Sequence, residues 1–276
     1  MTFKHNSELY AASGLTEGID WARRFRRQER FDDDPVRSDE GTRTVILAPH
    51  GGGIERGTSE LCLAVAGCHP ANLPITPPAG VTYDYWMFEG IREGGGNAGL
   101  HVKSIGCDDP VAVSLCGGAL GALSLHGFKP EIAHPPRDPD EQVVLVGGAD
   151  DLLRPVLVEA LKAVHLPVED TGGEGEVGGN DPCNIVNRTL RGKGAQLELS
   201  EPLRDTMFGE NTRPQRKHTT TEVFWTFVAA CRDALDQFEA KPEIASPDLQ
   251  FTSGGAFDVQ VVDLDAVDRL EAAGML

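Results

Sequence analysis

Lysine is scarce in this chain. Of the 25 basic residues only seven are lysine, against 43 aspartates and glutamates, and the formal net charge is −18. Such a surface repels polyphosphates, which excludes nucleic acid and anionic membrane as partners for the surface as a whole. Long hydrophobic runs are missing as well. No stretch reaches the roughly 20 apolar residues that cross a bilayer. The opening segment, MTFKHNSELYAASG, lacks the apolar core of a secretory signal, so a cytoplasmic protein is expected. Six cysteines, at 62, 68, 107, 116, 183 and 231, form no C-x-x-C pair. Reduced, mostly buried thiols are expected rather than a disulfide framework or a thiolate metal site. Two catalytic signatures are also absent. There is no G-x-S-x-G nucleophile elbow. The segment GGGIERG puts glycines at 51, 53 and 57, the wrong last spacing for a dinucleotide loop.

What is present is an ordinary globular composition, 276 residues with 40% hydrophobic content, enough to bury a sizeable core. The acid-rich, lysine-poor surface suits a salty solvent that screens self-repulsion, with a moderately acidic mesophile protein as the alternative. The melting temperature is therefore expected to rise from low to molar salt; a flat or falling trend in a thermal scan would remove that inference.

Strands alternate with helices along the chain. Thr44–Leu47 is a strand, and a helix follows from Ser59 to Ala66, capped by Thr58 or Ser59 and stopped by Gly67. Residues 26–43 read as a polar surface loop, and the proline-rich 68–82 as an irregular excursion. AVSL (112–115) and ALSL (122–125) are short strand candidates, and QVVLVGG (142–148) is a central one. Asp150 or Asp151 caps a helix to about Val164. Glycines at 172–179 mark a long loop, and AQLELS (195–200) is a further strand. Thr219 and Glu222 form a capping box for a helix to about Ala240, with Phe224, Phe227, Cys231, Leu235 and Phe238 on one face. This pattern predicts an α/β fold with helices on both faces of the sheet, in a main domain over 1–240. Residues 241–276, a linker followed by a strand and a short helix, read as an appendage packed on that domain or on a partner subunit.

Active sites of open α/β sheets gather at the carboxyl ends of strands. His50 and His126 follow two such strands, and Glu55 lies across three glycines from His50. The glycines disfavour a helix between them, so the loop is free to curl until both side chains converge. Two imidazoles and one carboxylate are a usual ligand set for catalytic zinc, with a fourth position left open. His50, Glu55 and His126 are the candidate ligands. Two other readings stand beside this one: a hydrogen-bonded turn histidine, and a cradle of backbone amides for an anion. Glu198 points opposite to Ala195, Leu197 and Leu199. A carboxylate inside so short an apolar strand needs a compensating partner. Glu198 is the candidate general base, with an ion pair to Arg188 or Arg204 as the alternative. NIVNR (184–188) places amides and a guanidinium together, suited to gripping a carboxylate or to pairing with the protein's own acids.

Seven segments occur in order: LAPHGGGIERGTSEL, FEG (88–90), NAGLHVKS (97–104), SLHG (124–127), VLVGG (144–148), NIVNR (184–188) and GAQLELSEPLR (194–204). Together they resemble the phage-associated poly-γ-glutamate hydrolases and their chromosomal homologues, a zinc-dependent family with a carboxypeptidase-like fold. The resemblance spans residues 8–235. It implies a three-layer α/β sandwich with a mixed central sheet, zinc on His50, Glu55 and His126, and Glu198 as base. It implies Asn184 and Arg188 on a substrate carboxylate or a developing oxyanion, and His101 lining the cleft. The implied reaction is hydrolysis of a γ-glutamyl amide, with other amides, or metal-dependent binding without turnover, as rivals. A γ-linked glutamate polymer is a polyanion, so a local basic groove is expected, drawn from Arg188, Arg191, Lys193 and Arg204. The stretches 68–82 and 104–122 and the tail beyond 240 read as additions to the family core, the tail offering an oligomer contact.

Overall fold

The computed structural model describes residues 3–27, 43–72, 81–133, 135–175 and 177–245. The expected strand and helix of the tail lie outside the described residues, as do 28–42 of the polar loop and 73–80 of the proline-rich excursion. Among the described residues, seven strands form one sheet: β1 (Trp21–Arg26), β2 (Thr44–Gly52), β3 (Asp84–Gly90), β4 (Gly121–Phe128), β5 (Val144–Gly148), β6 (Val168–Asp170) and β7 (Ala195–Ser200), in the order β1-β3-β2-β4-β7-β5-β6. The sheet is mixed. Strands β3, β2, β4 and β7 run parallel; β1 and β5 pair antiparallel to β3 and β7, and β6 pairs parallel to β5.

The pleat sorts side chains between two layers. Ile46, Ala48, Leu123, Leu125, Ala195, Leu197 and Leu199 pack with helices α2 (Thr58–Val65), α4 (Leu153–Ala163) and α6 (Glu222–Glu239). Val45, Leu47, Trp86, Phe88 and Ala122 face the other way, under α1 (Asn6–Tyr10) and α3 (Pro110–Gly117). Central strands buried on both faces need apolar residues throughout, and all nine residues of β2 are buried. Short helices α5 (Glu201–Thr206) and α7 (Pro242–Ala245) complete the fold. No helix among the described residues is long and apolar enough to cross a membrane. Cys62, Cys68, Cys107, Cys116 and Cys231 are buried and Cys183 is exposed, all of them free thiols.

Several local expectations are corrected. AVSL is not a strand but the body of α3. Asp109 accepts the Val111 and Ala112 N–H groups at 2.9 and 3.0 Å, and Pro110 stands at the first turn, so a strong helix start overrides a short apolar run. Helix α2 is capped by Gly57 at φ 97° rather than by Thr58 or Ser59. The cap of α6 is Thr221, whose Oγ1 accepts from Phe224 N; Thr219 Oγ1 instead donates to the carbonyl of Gln215. The presumed linker begins with the helical turn α7. Strands β1, β3 and β6 are absent from the sequence reading; β1 carries three arginines among its six residues, which masks its edge-strand alternation.

Asp109 is the hub of the second layer. Besides capping α3, its other oxygen accepts from the Tyr10 hydroxyl at 2.8 Å and from Arg23 at 3.2 Å, and its side chain is fully buried. Removing one partner of such a network strands the others. Asp109→Ala is expected to cost about 3 kcal/mol in a chemical denaturation titration, and Asp109→Asn less, because the amide oxygen still caps the helix.

Candidate active site

Strict alternation along β2 would send His50 to the same face as Ile46 and Ala48, away from His126. A β-bulge prevents this. Ala48 pairs with Met87 but Gly51 with Glu89, so β2 carries one extra residue between them. Bulges re-aim side chains in this way. Gly51 takes the helix-packed face, where an added Cβ would strike Ser59 Oγ of α2, and His50 swings to the opposite face. There it meets His126, which alternation along β4 places beside Ser124, away from Leu123 and Leu125. Glycine is also required next door. Gly52 has φ +67° and lies too close to the Gly90 carbonyl for any side chain; its own carbonyl accepts from the buried Arg216 at 2.9 Å. The loop then returns, with the Glu55 N–H donating to the His50 carbonyl at 2.8 Å.

The result is a tight donor cluster. His50 Nδ1 lies 2.7 Å from Glu55 Oε1 and 3.1 Å from His126 Nδ1. His126 Nδ1 is 3.6 Å from Glu55 Oε2. The far nitrogens are held from behind: His50 Nε2 sits 2.7 Å from the Val102 carbonyl, and His126 Nε2 lies 2.8 Å from Ser124 Oγ. Gly127 N–H donates to Glu55 Oε2 at 2.9 Å. A carbonyl only accepts, so His50 must carry its proton on Nε2, leaving a lone pair on Nδ1. Burial lowers its pKa to about 4 although Glu55 pulls the other way, so the ring is neutral near pH 7. The Glu55 carboxylate is also ionised. Burial opposes its charge, but the facing imidazoles outweigh it and hold it well below the usual carboxylate range. A lone pair and a carboxylate oxygen thus face each other with no proton between them, an arrangement that calls for a cation. Neighbouring ligands on a zinc tetrahedron stand roughly 3.3 Å apart, a value bracketed by the distances found. The residues present fit the metal, and Val102 and Ser124 supply the outer contacts that orient ligating histidines.

His101 stands beside this cluster. Its ring stacks on His50 at 3.9 Å between centroids, and its Nε2 is 3.6 Å from Glu55 Oε1. His50, Glu55 and His101 also satisfy the spacing of a metal-holding group. His126 is more deeply buried, with 4% of its side chain exposed against 32% for His101. Burial pulls the His126 pKa down, but Glu55 and Glu198 together raise it above its ordinary value.

Glu198 is the register partner of His126 across β4 and β7, so both reach the same face. No described residue donates a hydrogen bond to its carboxylate, and neither Arg188 nor Arg204 forms an ion pair with it. Burial is the main reason its pKa rises to about 7; Glu55 adds to the rise, and His126 and Arg204 oppose it. All four residues line a cavity of about 730 Å³ that also takes in His101, Lys103, Asn184, Gln196 and Arg204.

A family model described as poly-gamma-glutamate hydrolase matches residues 26–230. The chain belongs to the poly-γ-glutamate hydrolase family. The UPF0714 protein YndL of Bacillus subtilis (strain 168) is 31% identical over 193 residues, covering 70% of this chain and 67% of that protein. The solved bacteriophage poly-γ-glutamate hydrolase superposes with a TM-score of 0.68 at 27% identity, over 86% of this chain and 97% of the other. A zinc-free structure of YndL superposes with a TM-score of 0.67 at 26% identity, over 85% and 97%.

Within this family member the structure gathers His50, Glu55, His101, His126, Glu198, Asn184 and Arg204 around one cavity, but not Arg188. The Arg188 guanidinium is spent on the carbonyls of Cys183 and Cys107, at 2.8 Å each. It ties a loop together and is not among the cavity-lining residues. The expected basic groove fails with it, since Arg191 pairs with Asp150 and Lys193 with Asp151, at 2.7 and 2.8 Å. Only Arg204 of that set reaches the cavity. It is buried, and each of its three nitrogens donates to a backbone carbonyl: Leu199, Arg56 and Phe128. Asn184 caps a 3₁₀ turn through Oδ1 and donates to Gln196 at 3.0 Å. Ser124 and Gln196 escaped the sequence reading. Each stands two residues before a candidate on the same strand face, and that periodicity was the available signal.

Proposed function

We propose that this hydrolase cleaves a γ-glutamyl amide, as in poly-γ-glutamate, with zinc held by His50, Glu55 and His126. The observation that supports it is the pairing of two buried features: a cluster of lone pairs lacking a proton, and one strand away a carboxylate that receives no hydrogen bond from any described residue. When bound, zinc polarises an amide carbonyl and makes water more acidic. The chain's own residues supply the rest. Glu198 accepts a proton from the attacking water and returns it to the leaving nitrogen. With a pKa near neutrality it is poised for both transfers. His101, at the exposed side of the cluster, offers an imidazole to the substrate. Arg204 sits behind Gly127 and holds the wall that carries the Gly127 N–H to Glu55. Arg188 in this scheme braces the loop that presents Asn184.

The test has two parts. Elemental analysis of the purified chain should return one zinc per molecule. The zinc-loaded protein should then release free amine from γ-linked oligoglutamate and not from α-linked oligoglutamate. Zinc without any turnover would favour a binding protein; turnover of a neutral amide alone would move the substrate elsewhere.

A further inference from the structure

Four cationic side chains line the cavity: Arg56, Lys103, Lys129 and Arg204. Three are already committed. Arg204 is spent on backbone carbonyls. Arg56 and Lys129 share one carboxylate, that of Glu201, at 2.5 and 3.4 Å. Lys103 is exposed and pairs with no acid among the described residues. In a chain with 43 acids and 25 basic residues, a cleft lysine that pairs with none of the described acids is informative. Its backbone is well placed. The preceding carbonyl, of Val102, is the one that accepts from His50, and its own carbonyl accepts from Gly106 N–H at 2.7 Å. Lys103 therefore stands one residue from a fixed point of the metal cluster, with an extended backbone (φ −56°, ψ 143°) and a flexible four-carbon stem that carries a compact charge.

We propose that Lys103 is a specificity-determining residue: its ammonium takes the free α-carboxylate of the glutamyl unit whose γ-carbonyl is attacked. This rests on the γ-glutamyl reading above. Three carbon–carbon bonds separate that carboxylate's bearing carbon from the γ-carbonyl carbon, a span that a lysine rooted beside the cluster is long enough to cover. The charge also answers a difficulty set by the net charge of −18, because an anionic oligomer needs at least one unpaired cation to hold it in the cleft. Because the Lys103 side chain is exposed and pairs with no acid among the described residues, its replacement leaves the fold alone.

The experiment is calorimetric titration of the zinc-loaded protein, in a Glu198→Gln background to stop turnover. The ligands are γ-linked tetraglutamate and its analogue with every α-carboxylate converted to carboxamide. Lys103→Gln is expected to weaken tetraglutamate binding by about tenfold or more, the usual scale for losing a charge-assisted contact. It should leave the weaker binding of the carboxamide unchanged, and Lys103→Arg should restore most of the loss. Equal tetraglutamate affinity with and without Lys103 would overturn the inference and leave the γ-glutamyl reading standing. Equal losses on both ligands would also overturn it, by showing a distorted cleft rather than carboxylate recognition. Failure of the Lys103-containing protein to bind tetraglutamate at all would remove the γ-glutamyl reading itself, and the inference with it.

Discussion

Replacing Glu198 by glutamine is expected to lower kcat on a γ-glutamyl amide by about 10²–10⁴-fold, the usual contribution of a positioned general base. Zinc content should not change. Glutamine keeps the shape of the side chain on β7 but accepts no proton from water. Because burial raises the Glu198 pKa to about 7, the pH profile carries the same information. Only the ionised carboxylate is a base, so the rate of the unmodified protein should fall as pH drops through the Glu198 pKa and level off above it. That acid limb should vanish in the residual activity of Glu198→Gln. Full activity in the variant would end the assignment. Loss of zinc would make Glu198 a ligand instead.

Glu55→Gln and His50→Ala should fail in a different way, by losing the metal first. Among the described residues, Glu55 contributes the only negative charge in direct contact with both His50 and His126, at 2.7 and 3.6 Å. A neutral amide in its place leaves two imidazoles to hold a divalent cation without compensation. Zinc affinity should drop by about 100-fold or more, read by competition with a chromophoric chelator, and turnover should fall in proportion until excess zinc is added. His50→Ala removes a ligand outright and should not be rescued by zinc. If Glu55→Gln binds zinc as the unmodified protein does while Glu198→Gln does not, the two carboxylates have exchanged roles.

The site was more legible in the sequence than the sheet was. Histidines and acids at the carboxyl ends of apolar runs are visible without coordinates, because strand ends are where an α/β sheet exposes its backbone loops. The alternation in AQLELS correctly separated Glu198 from Leu197 and Leu199. What failed did so for identifiable reasons. Arg188 looked like a substrate clamp because a guanidinium beside an amide is the right chemistry; sequence carries no record of which carbonyls it will meet, and Cys107 lies 81 residues away. Strand β1 was hidden because Arg23, Arg24 and Arg26, all half-buried, fall on both faces of this edge strand, leaving no alternation of apolar and polar residues to read. AVSL was misread because three apolar residues and a serine satisfy either period, and Asp109–Pro110, the decisive signal, stands upstream of them. Lys103 carries no mark of its role within NAGLHVKS, because what sets it apart is having no acidic partner among the described residues.

The extra residue in β2 makes the proposed metal centre a matter of parity. Ligand identity alone does not make the site: the strand must also change phase by one half-period between Ala48 and Gly51. A chain could keep His50, Glu55 and His126 and still have no centre, if one residue were deleted between Thr44 and Ala48 while the pairing of Thr44 and the bulge between Ala48 and Gly51 were both kept. His50 would then lie against α2, and His126 would face an empty wall. For this fold, insertions and deletions in one short strand are more damaging to chemistry than many substitutions in the cavity. Comparing related chains ligand by ligand would miss the loss, whereas counting residues from the start of β2 to the histidine would find it.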